Sequence, residues 1–342
     1  MSEIKLLSLS KGSGCGCKIQ PAILETLLEG LRFGQNDKIV IGNTGNDDCS
    51  VYDLGNDLYL LQTVDFFTPL VNDASIFGAA AAANALSDIY AMGGKPIMAN
   101  AIFSWPIDEL SLDLAKQVLQ GGVDMCNSLN VPLAGGHSIN GKDPLFGLSV
   151  TGLVQKQHLK TNAMAKPGQI VFLTKPLGIG ILSAAQKREL STPEQDAALH
   201  FWLTQNNSIG AELALFNEVG AMTDVTGFGL LGHAMELANA SNCSLEMEGI
   251  NLPKIEEAKN LAAQYVLPDN AMRNWNSYEN NTVLNNPEFF PWVVDPQTNG
   301  GLLFTADESA LTAIKTLFEK YKKEVYAIGK VLERQEKAVL IN

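Results

Sequence analysis

Along most of the chain apolar residues either recur at helical spacing or run in short unbroken stretches, and the two patterns predict alternating helices and strands. Ile23, Leu24, Leu27, Leu28 and Leu31 fall on one helical face between Pro21 and Leu31. Lys38-Ile-Val-Ile41 and Leu58 to Val64 read as strands. The first runs into the turn-forming Gly42-Asn-Thr-Gly-Asn-Asp47-Asp48, and the second ends at Asp65-Phe-Phe-Thr-Pro69. An alanine-rich run from Phe77 predicts a helix stopped by Gly93-Gly94 and Pro96. Ile97 to Phe103 predicts a buried strand, and Leu110, Leu114, Val118, Leu119, Gly122, Met125 and Cys126 an amphipathic helix with Cys126 in the core. Leu133 to Ser138 predicts a loop and Leu145 to Val154 a strand.

Lys156 to Pro167 is polar and ends in Pro-Gly, which places a domain boundary there. The organisation expected is an arm and first helix over 1–35, an N-terminal domain over 36–156 and a C-terminal domain over 166–342. In the second half a strand spans Gln169 to Thr174, and helix-prone segments run to Gly220. A helix starting around Met222 continues to about Ala240. Residues 270–290 are Asn-rich and predict a loop. Asp295-Pro-Gln-Thr-Asn-Gly-Gly301 predicts a turn before Leu302 to Phe304, then a charged helix and a last strand, Val325 to Val331.

Composition narrows the class. The 342 residues are 46% apolar and 18% charged, the profile of a globular protein with a substantial core. A net charge of -13 argues against non-specific nucleic-acid binding and requires cations between this protein and any polyphosphate ligand. The five cysteines are odd in number and form no Cys-x-x-Cys pair, which disfavours a disulfide framework and a zinc site. Met1 to Lys11 lacks the apolar core of a secretory signal, and no apolar run approaches the roughly 18 residues of a membrane span. These points favour a reducing cytoplasm and no membrane partner.

The candidate chemistry lies in acidic positions and in the N-terminal arm. Asn84 and Asp88 are four apart and share one helix face among small residues. Asp47, Asp48, Asp65 and Asp224 each lie beside a Gly- or Thr-rich turn or at the end of an apolar run. These carboxylates are expected to converge on a divalent metal carrying a polyphosphate; the alternative is a solvated helix tip and ordinary turn formers. The arm Gly12-Ser-Gly-Cys15-Gly-Cys17-Lys18 is expected to be mobile and free of core contacts, with Lys18 near enough to lower the Cys15 thiol pKa. Two tempting motifs fail. Gly136-His-Ser-Ile-Asn-Gly141-Lys142-Asp143 has Asp where a P-loop needs a hydroxyl, and a strand pattern follows it. Gly227-Phe-Gly229-Leu-Leu-Gly232 matches the dinucleotide fingerprint, but Glu212 to Val219 before it reads as helix and not strand.

With these residues in hand, the sequence resembles the selenophosphate synthetase (selenide, water dikinase) family over nearly its whole length. The carriers are Gly14-Cys15-Gly-Cys17-Lys18, Asp47-Asp48, Thr63-Val-Asp65, Asn84 to Pro96, Ala134-Gly-Gly-His-Ser138, Met222-Thr-Asp224 to Gly229 and Asp295 to Gly301. The Asp-containing blocks are shared with aminoimidazole ribonucleotide synthetase and thiamine-monophosphate kinase; the Cys-Gly-Cys-Lys arm is the specific part. Lys11, Cys49 and Asn299 stand where the family commonly has His, Ala and Ser. The resemblance implies an α+β, two-domain aminoimidazole ribonucleotide synthetase-like fold with a flexible glycine-rich arm, and a homodimer. It implies conversion of ATP, selenide and water to selenophosphate, phosphate and AMP, which supplies selenium for selenocysteine and selenouridine. It implies Mg²⁺ on Asp48, Asp88 and Asp224, and ATP contacts from Lys18, Gly45, Asn46, Asp47, Asp65, Asp88, Gly136, His137 and Ser138. Cys15 and Lys18 match catalytic residues, and a selenium-delivery protein is a further partner. His158, His200 and His233 are read as structural or surface. The alternatives are a small-metabolite kinase or synthetase of the same superfamily, a nucleotide-binding regulator without turnover, and a selenium carrier.

Overall fold

The structure, a computed structural model, describes residues 5–9, 14, 18–19, 21–32, 34, 36–42 and 46–342. The N-terminal half comprises α1 (Pro21–Leu28), β1 (Ile39–Ile41), β2 (Ser50–Gly55), β3 (Leu58–Phe67), α2 (Ala74–Ala91), β4 (Lys95–Ser104), α3 (Leu112–Ser128), β5 (Leu133–Ile139) and β6 (Leu145–Gln155). The C-terminal half begins with β7 (Ile170–Leu173), α4 (Ile179–Lys187), α5 (Pro193–Leu203), α6 (Ile209–Leu213), β8 (Val219–Asp224), α7 (Gly229–Ala240) and β9 (Cys243–Met247). It continues through α8 (Lys259–Ala263), α9 (Ala271–Tyr278), β10 (Thr282–Leu284), α10 (Phe290–Val293), β11 (Leu302–Ala306), α11 (Leu311–Lys320), β12 (Tyr326–Glu333) and β13 (Val339–Ile341).

Each half is built on one sheet. The first has six strands in the order β1-β2-β3-β6-β4-β5, antiparallel except for the β4–β5 pair. The second has seven, in the order β10-β13-β9-β12-β7-β11-β8. Between the two sheets runs α2. Its Ala-rich sequence lets neighbours approach on every side: β3 and β6 on one flank, α3 on another, and β8, α5 and α6 of the C-terminal half on a third. Closest of all is the crossing with α3, where a Cβ on Gly78 would stand 1.8 Å from the Val118 carbonyl oxygen. The helix starts on Asp73, whose carboxylate accepts from the Ile76 amide, and stops at Met92-Gly93. One apolar core runs from Leu6 through α2 to β13, so the halves share an interior.

Several sequence expectations change here. Leu133 to Ser138 is a strand, β5, because parallel pairing to β4 supplies ladder partners that Gly135-Gly136 would not recruit alone. Strand β8 stands where helix was read before Gly227. It pairs antiparallel with β11, so the glycine motif still opens no parallel β-α-β unit. The Asn-rich 270–290 stretch holds α9 and β10, and β2, β9 and β13 went unread. Leu6 and Leu7, ahead of the glycine-rich arm, are 0% and 2% exposed, and the arm, expected to lack core contacts, makes one at Gly14. Gly14 is buried at φ +51, where a Cβ would meet Thr298 and Leu70. Among the described residues no helix is long and apolar enough to cross a membrane.

Candidate metal and nucleotide site

Asp48, Asp88 and Asp224 come from three places in the chain and meet at one point. Asp48 precedes β2, Asp88 is in the last turn of α2, and Asp224 ends β8. One carboxylate oxygen from each lies within 4.8 Å of the others. Asp224 is 1% exposed and its Oδ2 is buried without a hydrogen-bond partner; it lines one cavity together with Asp48 and Asp88. Three carboxylates this close, Asp224 buried and Asp48 and Asp88 half-buried, repel one another. Burial first, then Asp224 and Asp88, push Asp48 well above the usual carboxylate range, against a hydrogen bond from Thr223. Burial, Asp224 and Asp65 do the same to Asp88, against Lys18 and Thr63. Asp224 is raised by burial and eased by Ser87, His233 and Lys18. An all-oxygen donor set with an orphaned buried oxygen and unrelieved repulsion fits a hard divalent cation.

The supports of the cluster are hydroxyls and amides. Thr63 Oγ1 donates to Asp88 Oδ2 at 2.5 Å, and Thr223 Oγ1 to Asp48 Oδ1 at 2.9 Å. Asn84, fully buried in α2, donates to Asp65 Oδ2 at 2.5 Å and accepts from the Asn299 amide at 2.7 Å. That is a structural join between the halves, not the solvated helix tip that spacing left open. Asp47 accepts from the Asn162 amide at 2.8 Å, and burial raises its pKa. Lys18 Nζ lies 3.5 Å from Asp65 Oδ2 and is the one lysine or arginine among the described residues lining the cavity.

The cavity, about 320 Å³, thus gathers Lys18, Asn46, Asp47, Asp48, Asp65, Asp88 and Asp224. Cys15 and Gly45 lie outside the described residues. Gly136, His137 and Ser138 do not reach the cavity within one chain: they lie on β5, the edge strand, with β6 and β4 between it and β3. Conversely, sequence reasoning missed Thr63, Thr226, His233 and Glu236. His233, set aside as structural or surface, lines the cavity from the first turns of α7. Its Nε2 is 3.2 Å from Thr226 Oγ1, and its Nδ1 stands 3.2 Å from Glu236 Oε2 without hydrogen-bond alignment. Glu236 in turn accepts from Asn46 at 3.4 Å. The available signal was His233 and Glu236 at i,i+3 on a helix opened by Gly227-Phe-Gly229 just after Asp224.

Comparison with known proteins follows the geometry. The family described as AIR synthase related protein matches through its N-terminal domain over residues 46–154 and its C-terminal domain over 166–342. A protein of Sulfurovum named selenide, water dikinase is 44% identical over 341 residues, covering 99% of each chain. One of Photorhabdus laumondii with the same name is 42% identical and covers 99% of this chain and 98% of the relative. Among solved structures, thiamine-monophosphate kinase from Stenotrophomonas maltophilia superposes with a TM-score of 0.67 at 21% identity, covering 94% of each chain. A hydrogenase maturation protein HypE in complex with ATP gives 0.62 at 17% identity, covering 99% of this chain and 94% of that one. At such identities the structures speak for the two-domain α+β fold alone.

Proposed function

We propose, for a chain that belongs to the selenide, water dikinase family and is an ATP-dependent enzyme of that class, that the acidic cavity is where nucleotide, metal and selenide meet. The enzyme converts ATP, selenide and water to selenophosphate, phosphate and AMP. The observation that carries the site reading is the convergence of Asp48, Asp88 and Asp224 within 4.8 Å with a buried oxygen left unpaired. These three residues would hold Mg²⁺, which when bound neutralises charge on the phosphate oxygens. Thr63 and Thr223 fix the carboxylates that face it. Asn84 holds Asp65, and Asp65 keeps the Lys18 ammonium in reach of a transferring phosphoryl group. Cys15 is read as the soft atom that handles selenide; along the chain it follows Gly14, which packs against Leu70 and Thr298, and precedes Lys18, which lines the cavity. Incubation with ATP, Mg²⁺ and selenide is expected to release AMP and phosphate in equal amounts, and Cys15→Ser to release neither in a selenide-dependent way. Accumulation of ADP as the final product would overturn the reaction.

The partner surface is also read as a proposal. Among the described residues, Val64, Phe66, Ile97, Met98 and Ile139 of the N-terminal sheet are 53, 45, 44, 40 and 55% exposed. A second copy packed on these apolar side chains makes a homodimer. In it Gly136, His137 and Ser138 of one subunit serve the nucleotide held by the other. Co-expressing Asp88→Asn with His137→Ala is then expected to restore about a quarter of wild-type activity, since half of the dimers are mixed and each mixed dimer has one intact site. No recovery above the two inactive parents would dismiss the shared site.

A further inference from the structure

A second cavity, about 370 Å³, opens on the C-terminal half between α5, β12 and the loop that precedes β12. Its charged groups are Lys175, Lys322 and Lys323, with Glu324 at the rim accepting from the Tyr326 hydroxyl. Lys175 is 4% exposed and donates to Gln205 O at 2.6 Å and to Asn299 O at 2.7 Å. Lys323 donates to Asn206 O at 2.8 Å. These acceptors are neutral, and among the described residues no carboxylate comes within 4.0 Å of any of the three ammonium groups. Lys175 also donates to Asn299 Oδ1 at 3.3 Å, so its three protons are taken within the fold, and burial, then Lys323, lower its pKa against the Asp224 charge; the cationic groups left to face a ligand in the cavity are Lys322 and Lys323. Its walls are rings: Phe201, Trp202 and Tyr326, the first two edge to face at 5.0 Å.

The same cavity touches the acidic site through two buried hydrogen-bonded chains. Lys175 holds Asn299, whose amide donates to Asn84, which donates to Asp65. Asn207, also in the cavity wall, donates to Ser87 Oγ at 2.7 Å, and the Ser87 hydroxyl bonds to Asp224.

We propose that this cavity is a second ligand site, for a ring-bearing phosphate ester the size of a nucleoside monophosphate, and that its occupancy is transmitted to Asp65 and Asp224. Two lysines in the cavity wall, Lys322 and Lys323, suit a dianionic phosphate better than a single carboxylate, and the aromatic walls suit a flat base. The volume, near the lower end of small-molecule sites, takes one such ligand. The binding part stands without the function proposed above; the transmission part rests on reading the acidic cluster as the metal–nucleotide site.

The test uses the full chain with the acidic cavity saturated by Mg²⁺ and a non-hydrolysable ATP analogue, titrated calorimetrically with AMP. One further AMP per chain is expected, with adenosine and inorganic phosphate each at least tenfold weaker. Lys323→Gln and Trp202→Leu are each expected to weaken that second event at least tenfold, while affinity for the ATP analogue, measured in the same samples, stays within twofold. Filling the site with AMP is expected to change the analogue's affinity at least twofold in wild type and not in Lys323→Gln. Absence of the second event, its survival in both variants, or phosphate binding as tightly as AMP overturns the site. An unchanged analogue affinity overturns the transmission. Failure of the analogue to bind at all counts against the acidic-site reading instead.

Discussion

Asp88→Asn is expected to cut turnover by at least about 10²–10³-fold, the scale of losing one preorganised electrostatic group, while making the metal-free protein more stable at pH 8. The two effects have one origin. Folding buries Asp88 beside Asp224 and Asp65, which raises its carboxyl well above the ordinary value it keeps in the unfolded chain. A carboxyl raised by folding costs stability as pH rises through the ordinary range, and the cost is complete once pH exceeds the folded value. The metal-free wild type should therefore gain stability on acidification from pH 8, and the asparagine variant should gain less. Asp48 and Asp224, raised for the same reasons, leave part of the slope in place. A divalent cation reverses the ranking. Ligand at a hundred times its dissociation constant stabilises by about 2.7 kcal/mol, roughly 4 °C in Tm for a chain of this size. The wild type should show that rise with Mg²⁺ and the variant much less of it. Calorimetric unfolding with and without chelator, at pH 6 and pH 8, reads both effects. If the variant melts below wild type at pH 8 without metal, and Mg²⁺ raises both equally, the carboxylates do not form a repelling cage that a cation relieves.

The acidic residues of this cage were legible one at a time, because each is tied to a local signal. Asp48 follows a Gly-Asn turn, Asp88 sits four after Asn84 near a Gly-Gly stop, and Asp224 closes an apolar run. Their meeting was not legible from periodicity. It depends on the β8–β11 register, which sets Asp224 opposite Leu302, and on α2 crossing between two sheets. The supporting residues were hidden for the same reason. Thr63 reads as a strand residue, and only the alternation of β3, with odd positions turned to α2, puts its hydroxyl on Asp88. Asn84 looked like a helix-surface amide because local spacing says nothing about which faces are covered; the structure covers all of them. The error over β5 runs the other way: Gly-Gly and a polar tail say loop locally, and strand β4 decides otherwise. Family resemblance added an expectation that geometry within one chain does not reach, nucleotide contacts from Gly136, His137 and Ser138.

Replacing Lys18 with methionine is the second change of large expected effect, and it acts on rate more than on binding. Lys18 is more than a third exposed, its ammonium 3.5 Å from Asp65, in a cavity whose other described charged groups are mostly carboxylates. Methionine keeps the length and apolar stem and removes the charge. The triphosphate would still meet the metal ligands, so affinity for a non-hydrolysable ATP analogue should stay within about fivefold. The charge spread over a phosphoryl group in flight would lose a fixed donor, so kcat should fall about 10²–10³-fold. The substitution also reaches the cage. The Lys18 charge lowers the pKa of both Asp88 and Asp224, so its loss pushes these carboxyls further up. Metal binding, which needs them ionised, should then require a higher pH, and the activity profile of the variant should shift to the alkaline side. Lys18→Arg restores the charge but not the compact head of an ammonium. It should return the pH profile to its wild-type position while recovering only part of kcat. A methionine variant with kcat within threefold of wild type, or a profile that does not move, would remove Lys18 from the reacting centre and leave it as a surface partner of Asp65.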